Sequence, residues 1–184
     1  MGGRWPQTAA EVYAKYPIHP AAAALDRGAT DGQTFLAALV AAGQYRDAVT
    51  FLANALPIRE SLWWACECAG DGPATEACRQ YVCEPTDANR RAAWAAAEAA
   101  DFDTPGATAA VAAFLSAGSL SEPGLPAVPP PDGVAATAVA NTIILAAAVN
   151  GPPTLADERY REYLIVGTAV ADGARRWPAP PGQK

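Results

Sequence analysis

At 184 residues the chain has the length of one ordinary domain, enough to bury about two-thirds of its unfolded surface in one core. Alanine supplies 46 positions and aromatic residues only 8%, a composition that favours closely packed helices over strands. A net charge of −6, with Lys15 and Lys184 the only lysines, excludes a phosphate-binding surface, because nucleic acids are held by clustered cations.

The N-terminal Met1 to Pro6 leads into the polar stretch Gln7 to Lys15 without the apolar run a secretory signal requires, which predicts a cytoplasmic protein. Thr8 is placed to cap a short helix through Tyr16, ended by Pro17, and Ala21 to Asp26 adds a turn before Gly28. The first strong helix is Asp31 to Ala42, whose apolar stripe is Phe35, Leu36, Leu39 and Val40. Tyr45 to Leu56 repeats the pattern through Tyr45, Val49, Leu52 and Leu56, so the two form an antiparallel hairpin across Gly43-Gln44. Pro57 suits the first position of a third helix, which breaks at Gly70-Asp71-Gly72. A fourth runs from Pro73 to Cys83, a fifth from Ala88 to Ala100 with Asp87 as its cap, and a sixth from Thr104 or Thr108 to Gly118.

The segment 119–133 carries Pro123, Pro126, Pro129, Pro130 and Pro131 and reads as an extended linker. Two long helices follow, Val134 to Val149 and Leu155 to Ala171, and residues 178–184 read as a disordered tail. The uncharged stretch 133–156 tests for a membrane span, which needs about 20 mainly apolar residues. Asn141 interrupts it and Asn150-Gly151-Pro152-Pro153 ends it early, so it reads as a central core helix. The expected architecture is all-α: one domain over 1–177, a helical bundle or a short stack of antiparallel helix pairs with about eight helices. No fixed internal repeat is visible.

Candidate chemistry is sparse. Cys66, Cys68, Cys78 and Cys83 put four thiols within 18 residues. Cys66 and Cys68 stand mid-helix about 200° apart, so both cannot easily face one ion, whereas zinc usually draws on C-x-x-C knuckles in turns. Packing of small side chains, a disulfide from Cys68 to Cys78 or Cys83, and a metal all remain open, and no metal ligand set is assigned. His19 sits between prolines in a loop. Nucleophile-elbow, phosphate-loop and dinucleotide motifs are missing, and the carboxylate pairs Asp101/Asp103 and Asp157/Glu158 fall at helix ends, where they stay solvated. Neither a catalytic residue nor a cofactor is indicated.

The most informative stretch is Leu56-Pro57-Ile58-Arg59-Glu60-Ser61-Leu62-Trp63-Trp64-Ala65-Cys66. Adjacent tryptophans on a helix point about 100° apart, so both are buried only if the helix is enclosed on a wide arc. Arg59 lies one turn before Trp63 and Glu60 one turn before Trp64, which places a guanidinium to stack on an indole. One reading fills the core with both indoles. The other puts Arg59, Glu60, Trp63 and Trp64 at a protein interface, where Trp and Arg are enriched among hot spots.

With Ala41-Ala42-Gly43 and Asp47 to Ala53, this stretch resembles a poorly characterised family of bacterial helical proteins associated with type VI secretion gene neighbourhoods. The likeness runs from Phe35 to Cys66. It carries no activity, cofactor or catalytic residue, and implies a cytoplasmic accessory role beside a secretion machine. The expected function is a non-enzymatic adaptor, chaperone or structural accessory that binds another protein, a secretion-system component or effector. The alternatives are a metal- or redox-active protein using the four cysteines, and an immunity protein.

Overall fold

The computed structural model describes residues 5, 8–14, 16, 19–26 and 30–178. Side-chain caps open five of its ten α-helices among the described residues. Thr8 Oγ1 accepts from Glu11 N ahead of α1 (Ala9–Tyr13), and His19 Nδ1 accepts from Ala21 N ahead of α2 (Pro20–Ala23). Asp31 Oδ1 accepts from Thr34 N at 2.9 Å and starts α3 (Gly32–Ala41). Gly43, at φ 70°, then turns the chain into α4 (Tyr45–Ala55), a left-handed conformation that costs glycine nothing.

Pro57 stands one position before α5 (Ile58–Cys68) rather than as its first residue, whereas Pro73 does occupy the first turn of α6 (Pro73–Cys83). The expected cap Asp87 is corrected. Thr86 caps α7 (Asp87–Ala99) by accepting from Asn89 N at 3.2 Å, and the Asp87 carboxylate turns instead to Arg90 and Arg91. Thr104 caps α8 (Pro105–Leu115). After α9 (Val134–Val149) a single 3-10 turn, Pro153–Leu155, leads into α10 (Ala156–Ala171). The described residues thus form ten α-helices and no strand. Two of these are the short N-terminal helices, so the eight longer ones match the pattern read from apolar spacing.

The core centres on α8 and α9, which pack on each other; α8 also meets α6 and α7, while α9 meets α4 and α5. Their contact faces are mostly alanine: Ala109, Ala110, Ala112 and Ala113 on α8, Ala138, Ala146 and Ala147 on α9, with Val139 and Ile143 between. Small side chains let the backbones approach closely, and each larger neighbour then fills more of the remaining volume. Gly106 takes this furthest, since a Cβ there would run into Thr75 Oγ1 of α6. The uncharged stretch lies on α9, and no helix among the described residues is long and apolar enough to cross a membrane.

Among the described residues four arginines close helix C-termini that belong to other helices. Arg59 of α5 donates to Val82 O and Cys83 O at the end of α6, and Arg79 of α6 returns to Cys66 O near the end of α5. Arg90 of α7 donates to Phe114 O of α8 and to Ser119 O beyond it. Arg159 of α10 donates to Ala147 O and Pro152 O around the end of α9. Helix ends leave carbonyls without intrahelical partners, and a guanidinium reaches several of them with its fixed fork.

The segment 119–133 holds no helix and is pinned: Leu120 N donates to Val128 O at 2.8 Å, Ser119 Oγ accepts from Ser121 N and Val128 N, and Arg91 holds Ser121 O. Of the expected tail, residues 179–184 lie outside the described residues.

Candidate protein-interaction site

The cluster read from the sequence divides into an inner and an outer half. Trp64 is fully buried and donates from Nε1 to Tyr163 O of α10 at 2.7 Å, with Gly167 so close that a Cβ there would sit 2.6 Å from its ring. Glu60 is nine-tenths buried. Neither presents a surface to a partner, so for these two residues the expected interface is corrected to core. The reason is the one adjacent tryptophans impose: α5 is enclosed by α4, α6, α8, α9 and α10, and only one arc stays outside.

That arc carries Arg59, Trp63 and Glu67 at intervals of four residues, hence one stripe. The expected stack of Arg59 on Trp63 is also corrected. With Nε and Nη2 drawn to the α6 carbonyls, the guanidinium lies 4.3 Å from the ring centroid of Trp177. Arg175 donates to Glu67 Oε2 at 3.0 Å at the far end of the stripe. The segment after α10 therefore runs along the outside of α5, antiparallel to it, with Trp63 between its two anchor points. Trp63 is half-buried, and its Nε1 is enclosed without a hydrogen-bond acceptor among the described residues. Leaving a buried donor unpaired costs about 1–3 kcal/mol. Trp177 was invisible to sequence reasoning because nothing in Arg175-Arg176-Trp177 says where the segment lands.

The thiols do not form a centre. Cys66, Cys68 and Cys78 are buried, Cys83 is half-buried, and all four are free. The Cys66 thiol meets the Cys78 thiol across α5 and α6, and that hydrogen bond together with burial pushes it well above the ordinary thiol range. Burial, aided by the Glu67 carboxylate, does the same to Cys68. Burial raises Cys83 as well. Such thiols are poor nucleophiles, because the reactive form is the thiolate. Among the described residues no group of three or more His, Cys, Asp or Glu side chains is placed to hold a metal ion. His19 is exposed and serves as the cap of α2.

Two surface features escaped the sequence reading. A hollow of about 640 Å³ opens between α3 and α10, floored by Leu36, Val40 and Leu164 and edged by Ile165, which is 69% exposed. A cleft of about 480 Å³ lies beside Trp94 of α7, floored by Phe114, Leu115 and Leu120 with Arg91 and Glu122 at its mouth. Trp94 packs on Phe114 and on Phe102, with centroids 4.8 Å and 5.3 Å away. A tryptophan in an alanine-rich helix carries no sign of which way it faces until the helix is docked.

Residues 35–171 match the family model described as a family of unknown function (DUF6931). The match begins in α3, includes the whole of α5, and stops at the end of α10, before Arg175 and Trp177. No curated protein and no solved structure gives a match.

Proposed function

The chain belongs to the DUF6931 family, and from that premise and the geometry of α5 we infer that it is a non-enzymatic helical accessory that binds another protein. The observation that carries the reading is the seating of residues 175–177 on the Arg59–Trp63–Glu67 stripe. The surface accepts an extended chain, with a carboxylate at one end for a cation and a guanidinium at the other for an aromatic ring. Between them waits an indole N–H that the chain leaves unpaired and that a partner carbonyl would satisfy. A partner strand presenting a cation and an aromatic two residues apart would replace the chain's own segment. The setting is the one implied by the likeness of Phe35 to Cys66: a cytoplasmic role beside a type VI secretion machine, with a secretion component or effector as the partner.

The test is capture of partners by the tagged protein from its native bacterium, compared with Trp63→Ala and with a chain ending at Gly173. Near-stoichiometric recovery of a secretion-system protein, lost in folded Trp63→Ala and increased by the truncation, supports the reading. Equal capture by folded Trp63→Ala removes α5 from the interface. A second reading, docking in the hollow between α3 and α10, rests on the exposure of Ile165 and predicts that Ile165→Glu alone abolishes capture.

A further inference from the structure

We propose that the cleft beside Trp94, with the adjoining Phe102, is a separate docking surface for an arginine-rich segment of a partner protein. It rests on α7, α8 and the 119–133 segment and is independent of the α5 stripe. The aromatic groups are left to solvent: Trp94 is 36% exposed and Phe102 is 44% exposed, although each has a large apolar face to hide. Phe102 follows Asp101 with both residues at positive φ, 50° and 57°, so the chain turns sharply after α7 and sets the Phe102 ring against Trp94 instead of letting it continue along the helix. The outcome is a tilted aromatic pair at the surface, bordered by a cleft whose floor is apolar.

Charge decides the occupant. Glu98 lies one turn beyond Trp94 on α7, Asp101 and Asp103 flank Phe102, and Glu122 lines the cleft. None of these four carboxylates makes an ion pair among the described residues. The two cations nearby are already engaged: Arg91 with Asp87 and Ser121 O, and Arg90, fully buried, with Asp87, Phe114 O and Ser119 O. An exposed indole in a neighbourhood where the carboxylates Asp87, Glu98, Asp101, Asp103 and Glu122 outnumber the cations Arg90 and Arg91 attracts a cation and repels phosphate. Arginine suits it better than lysine, because a planar guanidinium stacks on a ring while its edge still donates to carboxylates. Among the described residues that stack occurs internally three times: Arg59 on Trp177, Arg90 on Phe114, which lines this same cleft, and Arg161 on Tyr45. The apolar floor of Phe114, Leu115 and Leu120 adds room for an aliphatic side chain beside the arginine.

The probe is a short synthetic peptide alternating arginine with leucine, with lysine and glutamate versions as controls, titrated into the full chain by calorimetry at physiological salt. Saturable 1:1 binding of the arginine peptide is expected, weaker by about threefold or more for the lysine version and lost for the glutamate version. Trp94→Ala should weaken it by about tenfold, and the pair Glu98→Gln with Glu122→Gln by several-fold. Phe102→Ala, further out on the ridge, gives a second reading should Trp94→Ala fail to fold, and should also weaken binding. Undiminished binding by folded Trp94→Ala or Phe102→Ala would reduce the effect to attraction by net charge and overturn the proposal. So would lysine and arginine peptides of equal strength. Concentration-dependent self-association that the same variants abolish would make the occupant a second copy and overturn it likewise.

Discussion

Two tryptophan-bearing helices, α5 and α7, treat the same chemistry in opposite ways. On α5 the polar partners are spent internally: Trp64 donates to Tyr163 O, Arg59 closes α6 and lies against Trp177, and Glu67 holds Arg175. On α7 the arginines are spent internally but the indole of Trp94 and the carboxylate of Glu98 face outward. The difference follows from position. Helix α5 is surrounded by five others, whereas α7 packs on α6 and α8 alone among its strong neighbours, so among the described residues one face of α7 stays exposed. Enclosure, rather than residue type, decides whether an Arg–Trp combination acts as cement or as surface.

The contrast is broken most readily at the two indoles. Trp64→Ala should lower unfolding free energy by about 3–5 kcal/mol, the usual range for emptying a core tryptophan site. Trp94→Ala should cost only about 1 kcal/mol, because little water-excluded volume is lost. Equal losses in urea denaturation would mean that α7 is as enclosed as α5. Next in size is Arg90→Lys. The ammonium keeps the charge but cannot span Asp87, Phe114 O and Ser119 O together, and a loss of about 2–3 kcal/mol is expected in the same assay.

Trp177→Ala removes one anchor of the segment on α5. Its stability cost should be at most about 1 kcal/mol, the size of an exposed cation–π contact. The sharper readout is fluorotryptophan NMR, in which the Trp63 signal should become accessible to a soluble paramagnetic agent while the Trp64 signal stays protected. A Trp63 signal unchanged by the substitution would mean that the segment does not shield it.

The smallest effect concerns acid. Hydrogen bonds from Arg90 and Arg91 hold the Asp87 carboxyl below its ordinary value of 3.8. A carboxyl depressed by folding contributes stability that is present above the unfolded value and disappears as pH falls through the folded one. The melting temperature should therefore drop more steeply below pH 3.8 in the native chain than in Asp87→Asn. Parallel acid limbs would assign the two arginines no net gain from that carboxylate.

Much of this architecture was readable from local signals. Asp31, expected as the first residue of its helix, caps it instead, Thr104 rather than Thr108 starts α8, Gly43 makes the turn between α3 and α4, and the proline segment stays free of helix. These are decided within a few residues of chain. The misplaced cap at Asp87 was also local: Thr86 and Asp87 are both good caps, and only the reach of Asp87 to Arg90 and Arg91 selects between them. The candidate site was legible by half. Adjacent Trp63 and Trp64 announced a helix enclosed on a wide arc, and Trp64 is indeed core. Which ring faced out, and that Trp177 rather than Trp63 would lie against Arg59, depended on a contact across more than a hundred residues. The exposed pair Trp94 and Phe102 meets only through the turn at Asp101, whose left-handed backbone no glycine or asparagine advertises.

The arginines that reach across to close α6, α8 and α9 also govern how the molecule comes apart. A helix capped by its own side chains can unravel from its end without disturbing its neighbours, at a small fraction of the global free energy. Here the last turns of these three helices are held by side chains rooted elsewhere, so opening any one of them breaks an attachment between two helices. Amide protons in those terminal turns should therefore exchange with solvent at rates approaching those of the helix centres, making the chain a single cooperative unit where separate helices would otherwise fray one by one.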